Sequence, residues 1–164
     1  MQPGEALGVA VQIAVALAGF AGVAVAFHRD SVHEWSPIDK FRLRTLIGNS
    51  ILALAVSMIA QLLLNVEPPL TGVWRWCSGV AFVVLLAFGI TTTAGFRRFN
   101  VRELEGASAN LIFYLSASIG TSTMLLQLYN AAYLGAFWPF FTGIVLQLLL
   151  AMFQFGRMIR PRRE

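Results

Sequence analysis

Residues 108–155 contain no Asp, Glu, Lys, Arg or His, a charge-free block of 48 residues. As one helix this block would reach about 72 Å at about 1.5 Å per residue. The hydrocarbon core of a bilayer is only about 30 Å thick, so the block must double back. The uncharged stretch NAAYLGAFWP, residues 130–139, is the place to turn, and Pro139 suits the first turn of a following helix. Three further apolar runs precede the block. Across the chain 57% of residues are hydrophobic and 12% charged, with a mean hydropathy of +0.70; a soluble domain carries roughly 25% charged residues. The expected fold is all-α: a single-domain integral membrane bundle, residues 1–164, with spans at about 6–27, 45–65, 73–96, 108–129 and 138–157. No internal duplication divides the chain into the paired halves of many transporters.

Charge sets the expected orientation. The segment HRDSVHEWSPIDKFRLR, residues 28–44, separates the first two apolar runs and carries Arg29, Lys40, Arg42 and Arg44. With five spans and the N-terminus outside, eleven of the twelve basic residues share one side and only Arg75 lies on the other. Four spans would place the basic tail opposite the first loop. The positive-inside rule therefore favours five spans and a cytoplasmic C-terminus. Trp74, Trp76, Tyr129, Tyr133 and Trp138 then gather at the outer interface. Ala24-Val25-Ala26 resembles a signal-peptide cleavage site, but the apolar run is long and nothing basic precedes it, so it is expected to be a retained span.

Although the net charge is +4 and the pI about 10.0, nucleic acid is not the expected partner. The cations sit in short turns and in the tail, where they act as orientation signals and contacts to anionic lipid. Lys40, Arg42, Arg44, Arg97 and Arg98 are the expected headgroup contacts. Ser36 can cap the second helix, with Pro37 at its first position and Asp39 near the positive end of its dipole. A helix over 37–65 would run about 43 Å, so turns 37–44 should stand at the surface, with Trp35, Ile38 and Phe41 on the headgroup boundary. A lone Cys77 makes no internal disulfide and reads as a packing residue.

The run AGFAGVAVAF at 18–27, followed by Trp35, Asp39 and the RLR of residues 42–44, and the FWPF of residues 137–140 resemble a loose group of small multi-pass bacterial membrane proteins. The resemblance covers most of the length. It implies a bacterial cytoplasmic (inner) membrane, and it supplies no activity, cofactor or site residue.

Chemistry is sparse within the spans. No ionisable side chain falls mid-span, which argues against a proton-coupled carrier, and no histidine is placed to ligate a haem between helices. His28, Asp30, His33 and Glu34 lie within seven residues of one another in the first loop and form a weak metal candidate. The two histidines are five apart, off a common helical face, and no HExxH pattern supports them. The competing reading is a solvated turn of mixed charge. Ser116, Ser118, Thr121, Ser122 and Thr123 have no base at their depth, so no catalytic residue and no cofactor are expected.

Fourfold spacings are the most informative pattern. Asn49, Ala53, Ser57, Gln61 and Asn65 recur on the second span, Asn110, Tyr114, Ser118 and Ser122 on the fourth, and Gly143, Gln147 and Ala151 with Gln154 on the fifth. Residues four apart share a helix side, and amides or hydroxyls in hydrocarbon need partners. Asn49, Ser57, Gln61, Asn110, Ser118, Ser122 and Gln147 are therefore expected to face inward, either as interhelical glue or as the lining of a polar cavity. Ala10, Ala14, Ala18, Gly22 and Ala26 form a stripe for close helix packing. The leading functional expectation is a non-enzymatic, self-associating or accessory subunit that contacts lipids and a second copy or another membrane protein. The alternatives are a small permease or channel for a neutral solute or lipid headgroup, and a metal-dependent membrane enzyme using the first-loop cluster.

Overall fold

The structure, a computed structural model, describes residues 2–26, 35–67, 71–99 and 109–159. His28, Asp30, His33 and Glu34 lie outside these residues. Among the described residues every regular element is helical: α1 (Pro3–Ala26), α2 (Pro37–Leu64), α3 (Val73–Phe96), α4 (Ala109–Tyr129) and α5 (Phe137–Ile159). All five are long and apolar enough to cross a membrane. Large apolar side chains such as Phe20, Leu62, Ile90, Leu111 and Leu115 are exposed on the outside of the bundle, a surface compatible with a multi-pass membrane protein.

α2 starts where the sequence predicts. Ser36 accepts from the Asp39 backbone N–H at 3.3 Å and donates its hydroxyl hydrogen to Asp39 Oδ2 at 2.6 Å, with Pro37 at the first position. Its opening turns do not stand free, however. Trp35 is buried, and Phe41 packs against Phe96, Phe99 and Phe113. For Phe41, aromatic contacts within the bundle replace the expected headgroup contact.

The end of the fourth span also differs. The helix does not stop at 129 but continues through a π-helical turn, Asn130–Leu134. Gly135, at φ +59°, closes that turn by donating its N–H to Asn130 O at 2.8 Å. A left-handed residue is the usual helix stop, and glycine adopts it without a Cβ clash. The link to α5 is therefore only Gly135 and Ala136, not a linker of ten residues.

Contacts between helices define a ring. α2 packs on α3, α3 on α4, α4 on α5 and α5 back on α2, while α1 lies outside against α2 and α5. Residue order along the helices places Arg42, Arg97, Arg98 and Arg157 at one end of this ring, the basic end, and Arg75 at the opposite end.

α1 corrects the small-residue stripe. Leu7, Ala10, Ala14, Leu17 and Ala21 are buried, whereas Ala18 is half-buried and Gly22 and Ala26 are exposed. A step of four residues overshoots a 3.6-residue turn by about 40°. A strict fourfold line therefore winds off the contact face, and the helix follows it by mixing steps of three and four.

Candidate functional site

The α2–α5 ring encloses a cavity of about 230 Å³ in its basic half. Leu86 and Gly89 on α3 and Thr121 on α4 line it and are also exposed on the outside of the bundle. The cavity thus opens sideways between α3 and α4. Toward the basic end that opening is bounded by Phe96 and Phe113, stacked with centroids 3.7 Å apart and planes within 1°.

One wall is polar and belongs to α2 and α5. Arg42, Thr45 and Asn49 come from α2, and Gln147, Gln154 and Arg157 from α5. Gln154 and Gln147 precede Arg157 by three and ten residues, a helical spacing that keeps all three on one face. They lie about 4.5 and 15 Å deeper along the axis. The facing wall is mainly apolar, with Leu85 and Phe88 from α3 and Ile112, Phe113 and Met124 from α4, interrupted by the hydroxyls of Thr92, Thr93, Ser116 and Thr121.

Partnering makes this wall unusual. Gln147 and Gln154 are 4% and 6% exposed, yet the Oε1 of each has no hydrogen-bond partner, and the Nε of Arg42 is buried without one. A buried polar atom left unsatisfied costs about 1–3 kcal/mol, so a further partner reaching these atoms would be stabilising. Arg42 Nη1 donates to Asp39 Oδ1 at 3.0 Å. Among the described residues Arg157 makes no ion pair; its guanidinium lies 5.9 Å from the Phe153 ring centroid. It also sits within the fields of Arg42, which repels it, and Asp39, which attracts it.

At the opposite end Asn130 is fully engaged, and Gln127 is engaged through its Nε2 while its Oε1 has no partner. Asn130 Nδ2 donates to Ser78 Oγ at 2.6 Å and to Ala136 O at 2.9 Å, while Asn130 Oδ1 accepts from the Ala136 N–H at 3.0 Å. Gln127 Nε2 donates to Pro139 O at 2.8 Å. Gly143 makes room for it: a Cβ there would lie 2.5 Å from Gln127 Nε2. Between Gln147 and Gln127 lies a second space of about 10 Å³, roughly one water.

The predicted residues divide. Asn49 and Gln147 line the cavity together. Ser57 is buried with its Oγ unpartnered, away from the cavity lining. Gln61 is half-buried and lies 3.8 Å from where a Cβ on Gly8 would be, between α1 and α2; it does not meet Gln147. Asn110, Ser118 and Ser122 are exposed. The inward face of α4 is instead Thr123 and Gln127, continued by Asn130, because the next helices bury that side. Of the residues expected to contact headgroups, Lys40, Arg44, Arg97 and Arg98 are exposed at the basic end, and Arg42 is turned into the cavity wall.

The sequence reading missed the inward roles of Ser78, Gln127, Asn130 and Arg157. The i, i+3 pair Gln127 and Asn130 beside the turn, and the spacing of Gln147, Gln154 and Arg157, were the available signals. Among the described residues no carboxylate, imidazole or thiol lines the cavity, so Thr45, Thr92, Thr93, Ser116 and Thr121 have no base within it. Comparison with protein-family models, curated proteins and solved structures gives no match.

Proposed function

We propose that this chain is a multi-pass protein of the bacterial cytoplasmic membrane that acts without covalent chemistry, holding one amphiphile of the bilayer in the cavity of its helix ring. Its role is that of an accessory or binding subunit. The observation that carries this reading is the cavity itself: a mainly apolar wall faces an amide-bearing wall whose Gln147 and Gln154 oxygens lack partners, and the opening points sideways. At about 230 Å³ the space falls below the roughly 300–1,000 Å³ of sites that enclose a drug-sized ligand. A lipid headgroup with the first part of its chain suits such a volume, with the remainder left in the bilayer through the gap between α3 and α4.

The basic end is the cytoplasmic end in this reading, on the positive-inside rule, with the N-terminus outside. Cys77 is buried, so introduced cysteines can report topology. Tyr133→Cys should react with a membrane-impermeant maleimide in intact cells and Arg98→Cys only after permeabilisation; the reverse pattern would sink the orientation. Binding is tested by native mass spectrometry of the full chain released from mild detergent. The wild type should retain one lipid. Gly120→Leu, at a lining position where an added Cβ meets nothing within 4 Å, should lose it without a change in thermal stability. Equal retention by both chains would end the proposal.

A second reading, a path for a small neutral solute, is favoured by the space between Gln147 and Gln127, where Gln127 Oε1 is unpartnered. Liposomes containing the protein should then take up glycerol faster than empty ones, and Gln127→Leu should abolish the difference. No uptake above empty liposomes rejects it.

A further inference from the structure

We infer that the amphiphile is an anionic lipid whose phosphate or carboxylate headgroup is held between Arg42 and Arg157; this rests on the cavity being a lipid site. The two guanidiniums line the cavity from opposite ends of their helices, Arg42 near the start of α2 and Arg157 near the end of α5. Among the described residues one carboxylate, Asp39, binds Arg42, so there the two guanidiniums outnumber their carboxylate partner.

The direction of that binding matters. Asp39 occupies Nη1 of Arg42. Among the described residues neither Nε nor Nη2 bonds anything, and Nε is fully buried. Nε and Nη2 form the side-on edge of a guanidinium, the fork that grips two oxygens of a phosphate or carboxylate at once. Arg157, with no ion pair of its own among the described residues, supplies the second cation.

Depth then separates a lipid from a free anion. Both arginines sit at the basic end of the cavity, with Gln154 about 4.5 Å and Gln147 about 15 Å below Arg157 on one wall and the apolar residues Leu85 and Met124 on the other. Charge at the end, with hydrogen-bonding groups and apolar surface side by side below it, suits a lipid of that leaflet, whose headgroup lies at the surface and whose ester or hydroxyl belt and chain lie deeper. Such a lipid enters through the side opening without inverting. A small hydrated anion satisfies the arginines alone and leaves the apolar wall unused.

The test is native mass spectrometry of the full-length chain equilibrated with equal amounts of phosphatidylglycerol and phosphatidylcholine of matched chains. Wild type should retain the anionic lipid about tenfold over the zwitterionic one. Arg157→Gln should bring that ratio near one while total lipid retained stays the same. Arg42→Lys, which keeps the charge but loses the fork, should lower it at least threefold. Arg98→Gln, removing a charge from the exposed surface at the same end, should leave it within about twofold, and millimolar inorganic phosphate should not displace the lipid. Equal retention of both lipids by wild type would overturn the inference, as would equal effects of Arg98→Gln and Arg157→Gln, or ready displacement by phosphate. If wild type keeps both lipids equally and Gly120→Leu keeps neither, charge recognition fails while the lipid cavity stands. If Gly120→Leu retains lipid like wild type, both fail together.

Discussion

Two parts of the helix ring use the same chemistry to opposite effect. At the end carrying Arg75, Asn130 has both donor hydrogens and its carbonyl oxygen engaged, tying α3, α4 and the start of α5 together. Along the cavity, Gln154 toward the basic end and Gln147 near the middle of α5 are also buried but keep unpartnered oxygens. A buried amide in a membrane bundle is therefore not one kind of residue. Where every hydrogen bond closes on the protein, the amide is a fastener. Where one is left over, the protein holds a place for something else.

Stability measurements in detergent can break this contrast. The largest effect is expected for Asn130→Ala, which strands the Ser78 hydroxyl and both backbone groups of Ala136; about 2–3 kcal/mol should be lost in reversible denaturant unfolding. Gly143→Ala follows. Its new Cβ would lie 2.5 Å from Gln127 Nε2 and push that amide off Pro139, costing about 1–3 kcal/mol by overpacking. On α1, Ala10→Leu forces a large side chain into a buried position at about 1–2 kcal/mol, while Gly22→Leu on the exposed side should shift the midpoint negligibly. If the two α1 changes were equal, the burial pattern of that helix would be wrong. The smallest stability effect belongs to Gln147→Leu. Replacing an unpartnered acceptor by an apolar group of similar length should change stability by less than about 1 kcal/mol, yet reduce lipid retention. A loss as large as that of Asn130→Ala would make Gln147 a fastener too and erase the distinction.

Much of the architecture was legible because it rests on one-dimensional physics. Run length against bilayer thickness yields five helices, and the Ser36-Pro37-Asp39 start of α2 appears where local capping chemistry demands it. The candidate site was legible only in pieces. Asn49 and Gln147 were named and do line the cavity. Gln61 was expected inside with them and lies toward α1, while Asn110, Ser118 and Ser122 face outward. Spacing tells which residues share a side of a helix, but a helix touching two neighbours has two inward sides. Which polar line becomes interior depends on where those neighbours stand.

Composition and periodicity alone determined an all-helical, apolar chain with its cations concentrated at one end, since helix length and charge placement need no partner to be read. Tertiary structure decided that α1 stays outside the ring, that Arg42 turns inward and that Asn130 closes its hydrogen bonds on the protein while Gln147 and Gln154 keep unpartnered oxygens. The physical reason is that hydrogen-bond satisfaction is a property of pairs. A sequence displays every donor and acceptor, but only the packed ring determines which of them meet.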